Sequence, residues 1–203
     1  MTTTTTFALI RHGQTDWNAQ MRIQGSTDIP LNATGRGQAT DAEAALSPSP
    51  WDFVVSSPLS RAAETADIIA ADLSLTVTER MPQLAERDYG PAEGLGAGPE
   101  LDALRSPDGG YGGFMGAESE ASVANRGLAA LRELARTWPG ARIVVVAHGT
   151  LIRLCLIEAL NREIPSIDNA ALTLVRLAPA PVGEPEAADA WTLDVLNGAL
   201  IPA

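Results

Sequence analysis

The sequence predicts one α/β domain in three layers: helices on both faces of a mainly parallel central sheet that carries an antiparallel edge strand. Short β-branched apolar runs alternate with longer stretches of helical periodicity, the pattern of parallel strands joined by right-handed helical crossovers. Two of the runs, Phe53-Val54-Val55 and Ile143-Val144-Val145-Val146-Ala147, hold no polar residue, as a strand covered on both faces requires. The last two runs are joined only by a polar and Pro/Ala-rich link over 178–190, too poor in helical pattern for a crossover, so they form an antiparallel pair at an edge.

In chain order, the first strand is Phe7 to Ile10, followed by a helix over Thr34 to Leu46 with Thr34 as its N-cap. Phe53 to Val55 is the second strand, and Pro58 to Leu73 is a helix with proline in its first turn. Leu75 to Val77, Ile143 to Ala147, Leu172 to Leu177 and Trp191 to Val195 are the remaining strands; Glu120 to Trp138 and Thr150 to Leu160 are the remaining helices. Between Gly94 and Gly116 lie eight glycines, with Pro91, Pro99 and Pro107 nearby, so a long lid or specificity loop is predicted at about 90–119.

A length of 203 residues suits a single domain spanning 1–203. With 45% hydrophobic and 19% charged residues the chain is too apolar for disorder, and no apolar run is long enough to span a membrane. The threonine-rich start lacks the basic and apolar segments of a signal peptide, which predicts a cytoplasmic protein. Cys155, in the run Leu151-Ile152-Arg153-Leu154-Cys155-Leu156, reads as a buried thiol.

The net charge of −11 argues against a nucleic-acid partner, and equally against any anionic substrate unless a local cluster of cations overturns it. All 14 basic residues are arginine. Without lysine there is no P-loop nucleotide site and no Schiff-base chemistry, pyridoxal phosphate enzymes included.

Both histidines of the chain stand in one local context: Ile10-Arg11-His12-Gly13 and Val146-Ala147-His148-Gly149-Thr150 each end a strand and precede or contain a glycine. Ligands of open parallel sheets bind at the carboxyl ends of strands, and glycine admits a close approach. One such histidine would read as structural; two in matching contexts point to a shared site. Arg11 at a strand end needs an anionic partner, and Arg61, in Ser56-Ser57-Pro58-Leu59-Ser60-Arg61, sits where a helix N-terminus offers free N–H groups to an anion.

These residues resemble the histidine phosphatase superfamily, which includes cofactor-dependent phosphoglycerate mutases and fructose-2,6-bisphosphatases. Arg11-His12-Gly13-Gln14-Thr15-Asp16-Trp17-Asn18 matches its R-H-G-[EQ]-[ST]-x-x-N signature. Gln24-Gly25, Ser57-Pro58-Leu59-Ser60-Arg61-Ala62, Leu84-Ala85-Glu86, Glu93-Gly94, Gly116-Ala117-Glu118-Ser119 and Ala147-His148-Gly149 follow in family order. The resemblance implies a phosphoglycerate mutase-like fold with His12 as nucleophile, Arg11, Arg61 and His148 around the phosphoryl group, and Glu86 as proton donor and acceptor. It further implies substrate contacts from Asn18, Gln24, Gly25, Arg87, Tyr89, Gly149 and Thr150, with no cofactor and no metal.

Hydrolysis of a small phosphorylated metabolite is the expected reaction, because the loop over 90–119 is lysine-free with Arg105 its one cation, whereas the mutases resemble one another in a longer cationic lid. A mutase remains the alternative, since Glu86-Arg87-Asp88-Tyr89-Gly90 resembles their E-R-x-Y-G stretch. An inactive binding member would be expected to lack one of the five principal residues, and a metal site has only two histidines and no cysteine pair to draw on. An apolar terminal strand leaves an edge that permits a homodimer.

Overall fold

The two apolar runs form neighbouring interior strands of the sheet. In this computed structural model residues 3–46, 50–106, 113–180 and 188–201 are described. Among them the strands are β1 (Thr5–Arg11), β2 (Phe53–Ser56), β3 (Val77–Arg80), β4 (Arg142–Ala147), β5 (Leu172–Ala178), β6 (Ala190–Leu196) and β7 (Ala199–Leu200). They form one sheet in the order β3-β2-β4-β1-β5-β6-β7. β3, β2, β4 and β1 run parallel, while β5, β6 and β7 each run antiparallel to the neighbour before them.

Alternation of side chains divides the core into two layers. Phe7, Leu9, Val55, Ile143 and Val145 face α5 (Glu120–Thr137) and α6 (Gly149–Leu160). Ala8, Ile10, Val54, Val144 and Val146 face α2 (Ala33–Leu46) and α3 (Ser60–Asp72). The three layers expected from the sequence are therefore present. The close contact of α5 with α6 depends on Gly127, where a Cβ would lie 2.4 Å from the Cys155 sulfur. Cys155 is buried as expected, and burial pushes its thiol pKa up to about 12.

The local differences from expectation have tertiary causes. Thr34 is not the cap of α2; Asn32 is, its Oδ1 accepting from the Gly35 N–H at 2.9 Å. α3 begins at Ser60 rather than Pro58, because Asp28 from a distant loop accepts from the Ser60 N–H at 2.8 Å and its hydroxyl at 2.7 Å. That carboxylate occupies the helix end which the sequence offered to a bound anion. The third strand starts at Val77, since the Leu75 N–H closes the end of α3 on the Ala70 carbonyl at 2.7 Å. The antiparallel pair expected at the edge is present as β5 and β6, and a short third strand, β7, extends it into a meander.

Within the glycine-rich segment the chain forms a 3-10 turn at Gly90–Ala92, a short helix α4 (Pro99–Ala103; the four-residue α1 is Asp16–Ala19) and a bridge between Arg105 and Phe114. Tyr89, Ala92, Leu101 and Phe114 bury one another there, in a cluster separate from the two sheet layers. Residues 107–112 of the expected lid and 181–187 of the expected link lie outside the described residues. Among the described residues no helix is long and apolar enough to cross a membrane.

Candidate active site

β1 and β4 are adjacent and parallel, so the residues that follow them emerge side by side at one edge of the sheet. His12 and His148 accordingly meet, with ring centroids 5.2 Å apart and planes tilted by 60°. The turn after β1 is packed tightly: a Cβ on Gly13 would lie 2.2 Å from the Gly35 carbonyl oxygen, and one on Gly35 would lie 2.1 Å from that of Gln14. Only glycines let the start of α2 cross the catalytic turn at this distance.

The tautomer of His12 follows from its partners. Nδ1 lies 2.7 Å from the Gly13 carbonyl, which can only accept, so Nδ1 carries the hydrogen and Nε2 carries the lone pair. Nε2 faces the Arg61 Nε–H at 3.3 Å. Burial, then Arg61, then Arg11 hold the His12 pKa well below the ordinary imidazole value of 6.5. His148 is held low as well, first by burial and then by Arg61. Its Nε2 lies 2.8 Å from the Ser57 hydroxyl, while Nδ1 is buried without a hydrogen-bond partner. Such an orphan is costly unless a ligand satisfies it.

Arg61 is completely buried, with its pKa lowered by burial to about 10, so it remains cationic at neutral pH. Backbone carbonyls position it: Nη1 donates to Thr27 at 3.0 Å and Nη2 to Gly25 at 2.7 Å. The Gln24 amide satisfies both of its neighbours when its nitrogen donates to Thr15 Oγ1 and its oxygen accepts from Arg61 Nε at 2.8 Å. Arg11 donates from Nη1 to the Ile167 carbonyl at 2.7 Å, leaving its buried Nε unpartnered. A Cβ on Gly149 would lie 3.2 Å from that Nε, so the glycine after His148 leaves room for the guanidinium.

Glu86 sits across the N-terminus of α6. Its carboxylate accepts from the N–H groups of Thr150 at 3.1 Å, Leu151 at 3.0 Å and Arg87 at 2.9 Å. Burial raises its pKa, and those three donors, with Arg61, oppose the rise. Tyr89 binds the Thr150 hydroxyl at 2.7 Å, and the Arg87 guanidinium lies 5.2 Å over the Tyr89 ring. Burial pushes the Tyr89 hydroxyl up to about 12, so it stays protonated.

A cleft of about 630 Å³ opens over this assembly. Arg11 and Glu86 line it together with Asn18, Gln24, Arg87, Tyr89, Gly149 and Thr150. Gly25 does not; its carbonyl holds Arg61 instead. The imidazoles meet as expected, but they do not flank an open hollow: His12 is 3% exposed, His148 is 0% exposed, and Arg61 lies against His12 Nε2. A phosphoryl group has to displace that last contact to reach the ring nitrogen.

Several residues that support the site carry no local signal of their role. Glu93, present in the sequence only as part of Glu93-Gly94, accepts from the N–H groups of Ser26 at 2.8 Å, Thr27 at 2.7 Å and Tyr89 at 3.0 Å, and from the Thr27 hydroxyl. It thereby fixes the loop whose carbonyls hold Arg61. Asn169 donates to the His12 carbonyl at 2.9 Å. Arg126 reaches from α5 to the carbonyls of Gln83 at 2.8 Å and Glu86 at 3.1 Å while paired with Glu118 at 2.9 Å. Each acts across a long sequence separation, which spacing along the chain does not reveal.

The buried titrating groups set a pH dependence of stability. Below pH 6.5 the unfolded chain takes up protons that the folded histidines refuse, so stability present above that pH is lost as the pH falls. The limiting loss is about 1.4 kcal/mol per pH unit for each histidine. Glu86 acts in the opposite sense, because its raised pKa makes the folded state bind a proton above 4.5 and its contribution declines as the pH rises through the folded value. Melting temperature is therefore expected to fall between pH 7 and 5, and to fall more steeply in Glu86→Gln. Melting curves that do not move over this window would contradict the burial of both neutral rings.

Neutral imidazoles and arginines gathered at the carboxyl ends of parallel strands, beside a buried carboxyl group, define an enzyme of phosphate-ester chemistry. The model of the histidine phosphatase superfamily (branch 1) matches residues 7–181, and the chain belongs to that family. It is 41% identical over 154 residues to the uncharacterized phosphatase PhoE of Bacillus subtilis, covering 76% of this chain and 77% of that one. It is 32% identical over 162 residues to the probable phosphoglycerate mutase GpmB of Salmonella typhi, covering 75% and 73%. Among solved structures, a mycobacterial glucosyl-3-phosphoglycerate phosphatase superposes with a TM-score of 0.82 at 29% identity, over 97% of this chain and 100% of that one.

Proposed function

We propose that this protein hydrolyses small phosphate monoesters through a phosphohistidine on His12. The observation that carries the proposal is the tautomer of His12: a buried, neutral ring with its Nδ1–H on the Gly13 carbonyl and its Nε2 lone pair directed at a guanidinium. A phosphoryl group that replaces this contact has the nucleophile and a cation on it at once.

In the first half-reaction the Nε2 lone pair forms a P–N bond as the P–O bond to the leaving group breaks. Arg11, Arg61 and His148 hold the non-bridging oxygens, with the free Arg11 Nε and His148 Nδ1 as unspent donors. Glu86, whose burial shifts its pKa towards the protonated form, gives its proton to the departing alkoxide. In the second half-reaction water attacks phosphorus, the P–N bond breaks, and Glu86 takes the proton back. Arg126 acts here as a positioning residue, since it holds the backbone on which Glu86 stands. Arg126→Met is expected to lower kcat on alkyl phosphates about tenfold or more and to shift the alkaline limb of the pH profile; an unmoved limb would reduce Arg126 to a structural strut.

A mutase has a specific observation in its favour, the Arg87–Tyr89 stack on the cleft wall. Against it, Arg105 is paired with Asp102 at 3.0 Å, which weakens its grip on a second phosphate of a retained intermediate. A small phosphorylated metabolite as partner, a cytoplasmic setting and a possible homodimer belong to the same proposal. The test is a phosphatase screen over a metabolite panel, run beside a phosphoglycerate mutase assay with 2,3-bisphosphoglycerate. Phosphate release inhibited by vanadate and unaffected by EDTA is the expected result, whereas isomerisation without release would establish the mutase.

A further inference from the structure

Three neighbouring strands end side by side and set three polar side chains in a row. β2, β4 and β1 are parallel and adjacent in that order, and Ser57, His148 and His12 are the residues that follow them. Backbone hydrogen bonds carry the sheet into this row: the Ser57 N–H donates to the Val146 carbonyl at 2.9 Å, and the His12 N–H to that of Ala147 at 3.0 Å. All three residues are buried.

The two histidines are chemically alike, neutral rings with one ring hydrogen each, yet the reaction proposed above asks opposite things of them. One presents a lone pair to phosphorus, the other a hydrogen to an oxyanion. Their hydrogen-bond partners differ accordingly. His12 has the Gly13 carbonyl at 2.7 Å from Nδ1, an acceptor that leaves the lone pair on Nε2. His148 has the Ser57 hydroxyl at 2.8 Å from Nε2, a group able to donate.

The direction of that second bond follows from the surroundings of Ser57. Its oxygen already accepts from the Leu59 N–H at 3.3 Å, and His148 Nε2 is the acceptor for its hydrogen among the described residues. Were Nε2 to donate instead, the hydroxyl hydrogen would be buried without an acceptor, and His148 Nδ1 would hold a buried lone pair that repels an incoming oxyanion. With the hydroxyl donating, one orphan remains, the Nδ1–H, and a phosphoryl oxygen satisfies it.

We propose that Ser57 is a positioning residue for hydrolysis: by donating to His148 Nε2 it fixes that ring's hydrogen on Nδ1, which makes His148 a donor to the phosphoryl group and leaves His12 the sole nucleophile. That role rests on the hydrolase reading above. It also distinguishes two adjacent serines, because the Ser56 hydroxyl is equally buried and has no hydrogen-bond partner.

The test reads both tautomers by two-bond proton–nitrogen correlation NMR of the labelled full chain, which holds only two imidazoles. His12→Ala assigns the signals by removing one ring. In the wild type the unprotonated nitrogen of His148 is expected to couple to both carbon-bound ring hydrogens, which identifies it as Nε2, and inorganic phosphate is expected to shift the protonated Nδ1. In Ser57→Ala the hydrogen is expected to move wholly or partly to Nε2, with kcat/KM on an alkyl phosphate falling about tenfold or more, the size of one hydrogen bond to a charged group. Ser57→Thr keeps the hydroxyl and is expected to keep the tautomer; Ser56→Ala is expected to keep both the tautomer and kcat/KM.

A hydrogen on His148 Nε2 in the wild type would overturn the proposal, and that spectrum needs no variant to fold. An unmoved tautomer in Ser57→Ala would overturn it whatever the activity, since lost activity alone is what a structural serine gives. A tautomer that moves without loss of kcat/KM would remove the positioning role, and an equal effect from Ser56→Ala would reduce both to a loosening of this end of β2. The spectra require no turnover. The expected tautomers in a protein that hydrolyses no phosphate ester would keep the assignment of the ring hydrogen and remove the hydrolase.

Discussion

His12→Ala is expected to reduce turnover of every phosphate ester by about four orders of magnitude or more, and to abolish the phosphoenzyme. Loss of a nucleophile removes the covalent route itself, so the effect exceeds that of losing any one contact to the phosphoryl group. The fold should survive, because the ring bonds only its neighbour's carbonyl and the Arg61 Nε–H, which the Gln24 oxygen also accepts, and the tight turn around it is held by the backbones of Gly13 and Gly35 and by the Thr65 hydroxyl at 3.1 Å from the Gly13 nitrogen. Rapid quench with labelled substrate should give an acid-labile, alkali-stable adduct in the wild type and none in the variant. Retention of the adduct in His12→Ala would move the nucleophile elsewhere.

Glu86→Gln carries the next largest effect, and a diagnostic one. An alkoxide leaves poorly without a proton, so alkyl phosphates are expected to slow by about 10²–10⁴-fold, the usual contribution of a general acid. An aryl phosphate leaves as a stabilised phenolate and is expected to slow far less. The amide nitrogen of glutamine would confront one of the N–H donors of Arg87, Thr150 or Leu151, but the remaining contacts keep the side chain in place. Equal slowing of both substrate types would mean that Glu86 orders the start of α6 without transferring a proton.

How much of this was legible in advance depended on the range of the interaction. Strands β1, β2 and β4 were readable because a run such as Ile143 to Ala147 has no polar face, and burial on both sides follows from that alone. Arg11, His12, Arg61 and His148 were readable because their local contexts place them at strand or helix ends, whereas Glu86, a lone acidic residue in a loop, was readable only through the family resemblance. The cap on α3 was not, because Asp28 belongs to a loop 32 residues earlier. Nor was the closed state of the pocket: the contact of Arg61 with His12 spans 49 residues and depends on the carbonyls of Gly25 and Thr27. Glycine richness indicated a loop over 90–116, but the packing of Leu101 and Phe114 against Tyr89 depends on a few apolar residues too widely spaced to show a period.

That small apolar cluster has an implication for specificity. Its members pack among themselves and on Tyr89, away from the two layers that support the reacting groups, so replacements of Leu101 or Phe114 should alter ligand preference before they disturb bond breaking. Changes confined to a stretch of some two dozen residues can thus retune which ligand is preferred, while Glu93 keeps the apparatus beneath it in register.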